Sequence, residues 1–173
     1  MAEGFLSLFS LTIADTELTQ LQGLSVNTVQ VHLLNTKKNS YEGPLLITHW
    51  GLSGPAIITL SAWQAETLHN NNYQGTLAIN WLPGYSSEAL QQKLSTYQQQ
   101  CFNKHVHSTS PFTEIPQRLW AYLLQQAQIS SKQTWGKLTL QQLQRIIQTL
   151  QKQELSIIKK GIFKEEFVYF LPI

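Results

Sequence analysis

Residues Thr48 to Ser61 read T-H-W-G-L-S-G-P-A-I-I-T-L-S and hold the side chains best placed to do chemistry. An imidazole (His49), an indole (Trp50) and a hydroxyl (Ser53) stand among glycines, with Pro55 ahead of an apolar run. Proline suits the first position of a helix, because its missing N–H would have no intrahelical partner there. The segment therefore reads as a tight turn from a strand, Leu45 to Thr48, into a helix, Pro55 to Ala65, with Ser53 as N-cap. Such a turn can aim backbone N–H groups and the positive end of a helix dipole at an anion, a cofactor edge or a substrate oxygen. It can equally turn a corner and pack an apolar helix. His49, Trp50, Ser53 and Gly54 are the candidate cofactor- or substrate-facing residues, acting through N–H donation and one imidazole.

Other chemistries are poorly supplied. Gly51-Leu52-Ser53-Gly54 departs from the nucleophile elbow G-x-S-x-G, since Pro55 occupies the second glycine position. The single aspartate, Asp15, precedes Ser53, so no acid of that type follows a serine nucleophile to orient a histidine. His105 and His107 could share a strand face, but a third and fourth metal ligand are missing at any recognisable spacing, and no metal site is expected. Glu165 and Glu166 are adjacent and would point to opposite faces of a strand, which does not make a glycosidase pair. Neither G-x-G-x-x-G nor G-K-[ST] occurs. No catalytic residue is assigned.

Stepping outward from these side chains, 173 residues suffice for one ordinary domain or two small ones. Only 13% are charged, and glutamine supplies much of the polar surface. A net charge of +2 without a basic stripe argues against nucleic acid. Cys101 is the single cysteine, which excludes an intrachain disulfide; it reads as a small apolar group closing a helix. No apolar run reaches membrane-spanning length and no signal-peptide pattern is present, so a cytoplasmic location is expected.

The first half reads as strands: Phe5 to Ile13, Val26 to Leu34 with Val29, Val31 and Leu33 on one face, Leu45 to Thr48 after a Tyr41–Pro44 turn, and Gly75 to Trp81. Asn70 to Asn72 marks a loop. Helices follow. Ser86 to Cys101 carries Leu90, Leu94 and Tyr97 on a stripe. A polar linker covers His105 to Pro111. Pro116 opens a helix with Leu119, Trp120, Leu123, Leu124 and Ala127, and a Thr139/Gln142 capping box opens one carrying Leu140, Leu143, Ile146, Ile147 and Leu150. Leu155 to Ile158 is a returning strand and Phe163 to Phe170 a further apolar segment. The expected class is α+β, a small β-barrel-like or sheet lobe (1–84 plus 155–173) with an inserted helical lobe (85–154).

Several of these segments resemble a bacterial family of NAD(P)/FAD-dependent oxidoreductases, the aminoacetone-oxidase-like and bile-acid-reductase-like flavoproteins. They are Ser7-Leu8-Phe9, Leu21 to Val26, Leu46 to Ala56, Ile115 to Trp120 and Phe163 to Val168, in matching order and spacing. The resemblance implies that the chain corresponds to the middle, insert part of such an enzyme, a barrel-like lobe plus a helical lobe. In the family a Rossmann-type part binds FAD. The glycine-rich fingerprint of that part does not occur here, so the chain alone is expected to hold no cofactor and to be redox-inactive. It would be a fragment or split half that meets a flavin-binding partner half or associates with itself. The alternative is a non-catalytic interaction module, with Trp63, Trp81, Trp135 and Tyr169 as candidate exposed aromatics.

Overall fold

The computed structural model describes residues 8–37 and 39–161. The fold is α+β: a closed barrel of strands in the order β1 (Leu11–Ile13), β4 (Gly51–Ser53), β3 (Tyr41–Ile47), β2 (Ser25–Leu33), β5 (Gly75–Asn80) and β6 (Gln153–Lys160), together with helices. It divides into two compact units. One holds the described residues up to Ala78 and from Glu154; the other is Ile79–Gln153. Among the described residues no helix is long and apolar enough to cross a membrane.

In the barrel unit, β2 (Ser25–Leu33) shows the alternation expected of a half-buried strand: Val29, Val31 and Leu33 are buried while Gln30 and His32 are half-buried. It pairs antiparallel with β3 (Tyr41–Ile47). Tyr41–Pro44 is thus the first half of a strand and not a turn, although it contains both Gly43 and Pro44. The register explains how. Val26 faces Leu45 and Val29 faces Gly43, so Asn27 and Thr28 on β2 stand against Pro44 alone. The ladder is interrupted by this bulge at the one residue that has no N–H to give. The bulge also lets Val26 and Val29, three apart, both be buried.

β1 (Leu11–Ile13) is shorter than the apolar run around it and pairs antiparallel with both β4 (Gly51–Ser53) and β6 (Gln153–Lys160). Residues 5–7 of the expected first strand, and the segment Phe163 to Phe170, lie outside the described residues. A short helix α1 (Thr16–Thr19), not anticipated from the sequence, is capped by the Asp15 carboxylate, which accepts from Leu18 N at 3.0 Å. β5 (Gly75–Asn80) completes the barrel.

The expected Pro55–Ala65 helix is two helices, α2 (Pro55–Trp63) and α3 (Ala65–Asn70), broken at Gln64, whose buried side chain donates to Tyr41 Oη at 3.1 Å. Ala56, Ile57 and Leu60 of α2 are fully buried, and the helix packs against β2, β3 and β4.

The helical unit is built on α4 (Ser87–Gln100), α5 (Gln117–Gln126) and α6 (Leu140–Gln151), with a 3₁₀ turn at Trp135–Lys137. The capping box at Thr139 forms in both directions: Gln142 N donates to Thr139 Oγ1 at 3.2 Å and Thr139 N to Gln142 Oε1 at 3.0 Å. Leu140, expected in the apolar stripe, is 59% exposed, because the first helical residue turns away from the face that Leu143, Ile146, Ile147 and Leu150 bury. Trp81 and Trp135, expected among the exposed aromatics, are also core residues. Trp135 stacks on Trp120 at 6.3 Å, and Trp81 Nε1 donates to Gln153 Oε1 at 2.7 Å. Indole bodies of this size bury well once their N–H finds a partner.

Candidate functional site

The motif segment is a strand, a two-residue turn, a short strand and then a helix. β3 ends at Ile47 and β4 begins at Gly51. Between them Thr48 N donates to Gly51 O at 2.9 Å and Gly51 N donates back to Thr48 Oγ1 at 3.1 Å. Thr48 thus holds the turn closed, and the hairpin's two tip residues are His49 and Trp50. His49 is exposed and Trp50 half-buried, with ring centroids 4.4 Å apart and planes at 88°. That edge-to-face arrangement suits the ring quadrupoles.

Both glycines of the motif have packing reasons. A Cβ on Gly51 would lie 2.0 Å from Leu11 O, because β1 crosses directly over it. Gly54 has φ +93°, and a Cβ there would meet Leu46 N and Pro44 O, each at 3.0 Å. Only glycine combines that dihedral with that approach. Gly54 is also the N-cap of α2, and no side chain caps the helix. Ser53, expected as the cap, is the last residue of β4, paired with Leu46.

This changes the electrostatics of the turn. The start of α2 is pressed against β3, and Ala56 and Ile57 are fully buried. Their N–H groups are closed to solvent, so the helix end does not form a cradle for a phosphate or pyrophosphate. What the segment offers outward is its tip, one imidazole beside one indole. An imidazole can donate or accept a hydrogen bond but needs further groups to catalyse.

Elsewhere the described residues hold no group of three or more His, Cys, Asp or Glu able to bind a metal ion. The His105–Pro111 segment, expected as a solvated linker, is anchored through Val106. That residue is fully buried, its N donates to Gln133 O at 2.9 Å, and its O accepts from Trp120 Nε1 at 2.9 Å. His105 is exposed and His107 half-buried. Nδ1 of His107 is buried and meets no hydrogen-bond partner among the described residues. Burial, and secondarily the neighbouring His105, lowers the His107 pKa from its ordinary value.

A shallow groove of about 270 Å³ lies along α4 and α6, where Ser87, Gln91, Gln144, Gln148, Gln151 and Lys152 stand around Ile147. The sequence reading missed it. The signal was there in the glutamines of α6 at positions 144, 148 and 151, which share a helix face. Its carboxamides, one hydroxyl and one amine can hydrogen-bond polar groups. Trp63, at the end of α2, is 72% exposed.

Residues 6–168 match the family model described as HI0933-like protein barrel and H2TH domain. No curated protein shows a significant match to the chain.

Proposed function

The chain belongs to the HI0933-like family of FAD-dependent-oxidoreductase type, as its barrel and H2TH domain, and on that premise we propose that it serves as the substrate-side insert domain of a flavoprotein. In this reading a separate Rossmann-type part, of the kind found in aminoacetone-oxidase-like and bile-acid-reductase-like enzymes, seats the FAD. The insert covers the flavin's substrate side and carries out no redox chemistry by itself. The observation behind it is the hairpin tip. His49 is exposed, Trp50 lies against it, and the adjoining glycines are fixed by close backbone packing, so a polar and aromatic tip stands on a rigid base. His49 would hydrogen-bond substrate, and Trp50 would bound the pocket with an apolar wall.

The test is a flavin titration of the purified chain, followed by reconstitution with a flavin-binding half of the family. The chain alone should leave FAD fluorescence unchanged. A stoichiometric yellow complex of the chain by itself would overturn the proposal. With the partner half present, flavin absorbance should respond to addition of this domain.

A second reading, a non-catalytic interaction module, is favoured by Trp63. A tryptophan 72% exposed at a helix end is the kind of residue that anchors interfaces. Pull-down separates the two: a flavin-binding half supports the first reading, an unrelated protein the second. Self-association through this residue would appear as a dimer in sedimentation that Trp63→Ala returns to monomer.

A further inference from the structure

We infer that Ser10 is a positioning residue: its hydroxyl sets the attitude of the Trp50 indole and, through it, of the His49 imidazole. Trp50 Nε1 donates to Ser10 Oγ at 3.3 Å. Backbone contacts fix both ends of this bond, Gly161 beside Ser10 and β1 beside Trp50. Gly161 N donates to Ser10 O at 2.8 Å, and a Cβ on Gly161 would fall 1.9 Å from Ser10 Oγ. The serine hydroxyl occupies the space a side chain at 161 would take. On the other side, Ile13 N donates to Trp50 O at 3.2 Å, and β1 crosses Gly51 with no room for any side chain. The Trp50 backbone is therefore tied to β1, and its ring is tied to the residue just ahead of β1.

An indole anchored at both its backbone and its N–H has little rotational freedom left. The imidazole packed edge-to-face on it at 4.4 Å inherits that restriction. Fixing a functional ring through a second residue is how sites reach the angular precision that binding or catalysis needs. Ser10 is not itself offered to a ligand, since its Oγ is turned to Trp50. The functional meaning of this arrangement rests on the reading of the His49–Trp50 tip as a substrate-facing surface. The arrangement itself does not, and it is measured without any flavin.

The experiment uses the full chain, isotope-labelled, and reads two resonances by NMR: the Trp50 indole N–H and the His49 ring protons, whose shifts carry the ring current of Trp50. In the wild type an NOE should connect the Trp50 indole N–H to the Ser10 β-protons. Ser10→Ala should speed exchange of the indole proton about two- to tenfold, the range one lost hydrogen bond implies, and move the His49 ring protons. The ring signals of the other histidines should stay where they are. Gly161→Ala, which displaces the hydroxyl without removing it, should give the same pair of changes, and Ser10→Thr should restore the wild-type pattern. Absence of the NOE, or a Ser10→Ala spectrum with unchanged Trp50 and His49 signals, overturns the inference. So do changes spread evenly over the barrel, which would make Ser10 a general structural residue. If either variant does not fold, the wild-type NOE alone decides. Failure of flavin reconstitution with these signals intact would count against the proposed function and leave Ser10's role standing.

Discussion

The α-carbon of Gly51 faces the carbonyl of Leu11 so closely that a β-carbon would stand 2.0 Å from the oxygen. No rotamer relieves this, because the clash is with backbone. Gly51→Ala must push β1 away from β4 where the barrel closes. The expected loss is about 3 kcal/mol, at the upper end of the cost of overpacking a core. Chemical denaturation read by far-UV circular dichroism checks it. A loss of less than about 1 kcal/mol, the ordinary scale of a surface change, would mean that the two strands are not in this contact.

The capping assignments separate two serine/threonine residues that look alike in sequence. Thr139→Ala removes an oxygen that accepts from Gln142 N and should cost about 1 kcal/mol. Ser53→Ala removes no cap, since Gly54 holds that position, and should stay within about 0.5 kcal/mol. Denaturant midpoints of the two variants, measured side by side, decide the matter. Equal losses would return Ser53 to the N-cap.

Gln153 joins two buried aromatic groups. Its Oε1 accepts from Trp81 Nε1 at 2.7 Å and its Nε2 donates to Tyr122 Oη at 2.6 Å. Gln153→Met keeps the volume but strands the indole N–H, and should cost about 2–4 kcal/mol. Tyr122→Phe leaves the carboxamide N–H short of an acceptor and should cost about 1–2 kcal/mol. A double-mutant cycle should show the two losses to be non-additive, since both substitutions break the same bond.

His107 links stability to pH. Its folded-state pKa is lowered, chiefly by burial, while in the unfolded chain it titrates near the ordinary value of about 6.5. Between those two values the unfolded state binds the extra proton. Stability therefore falls as pH drops through about 6.5 and levels off below the folded-state pKa. Protonation would also place a new donor at the buried, unpartnered Nδ1. His107→Gln should flatten this acid limb relative to the wild type, with the difference between the two proteins becoming independent of pH above about pH 7.5, where both states are neutral at this position. Denaturation curves at a series of pH values, taken for both proteins, give the difference directly.

The elements most legible in the sequence were those with a strong period. The Val29–Val31–Leu33 alternation and, apart from Leu140, the stripes of α5 and α6 lie where the pattern puts them, because burial on one face repeats at the strand or helix period. What escaped were features set by contacts distant in sequence. Pro44 reads as a turn residue until β2 is seen to bulge opposite it. Ser53 reads as a cap until β4 claims it through Leu46. Trp81 and Trp135 are as aromatic as Trp63, and only tertiary packing separates core from surface among them. At the candidate site, Gly51 and Gly54 were visible as unusual, but the reason, two close backbone approaches, is a property of the closed barrel. Ser10 gave no local sign of its bond to Trp50, forty residues away.

The last expectation concerns His49 under the proposed assembly with a flavin-binding half. Its side chain is exposed at the hairpin tip, and the turn is closed by Thr48, so His49→Ala should cost no more than about 1 kcal/mol, the scale of its edge-to-face contact with Trp50. If the imidazole hydrogen-bonds substrate, its loss should lower kcat/KM of the reconstituted enzyme about tenfold, the equivalent of one polar contact. Flavin content should not change, because no part of the proposal has His49 holding the cofactor. His49→Gln, which keeps a donor and an acceptor on a side chain of similar reach, should recover part of the loss. Turnover unchanged in His49→Ala, with flavin bound and the domain docked, would remove the hairpin tip from the substrate pocket. Trp63 would then be the better place to look for what this domain meets.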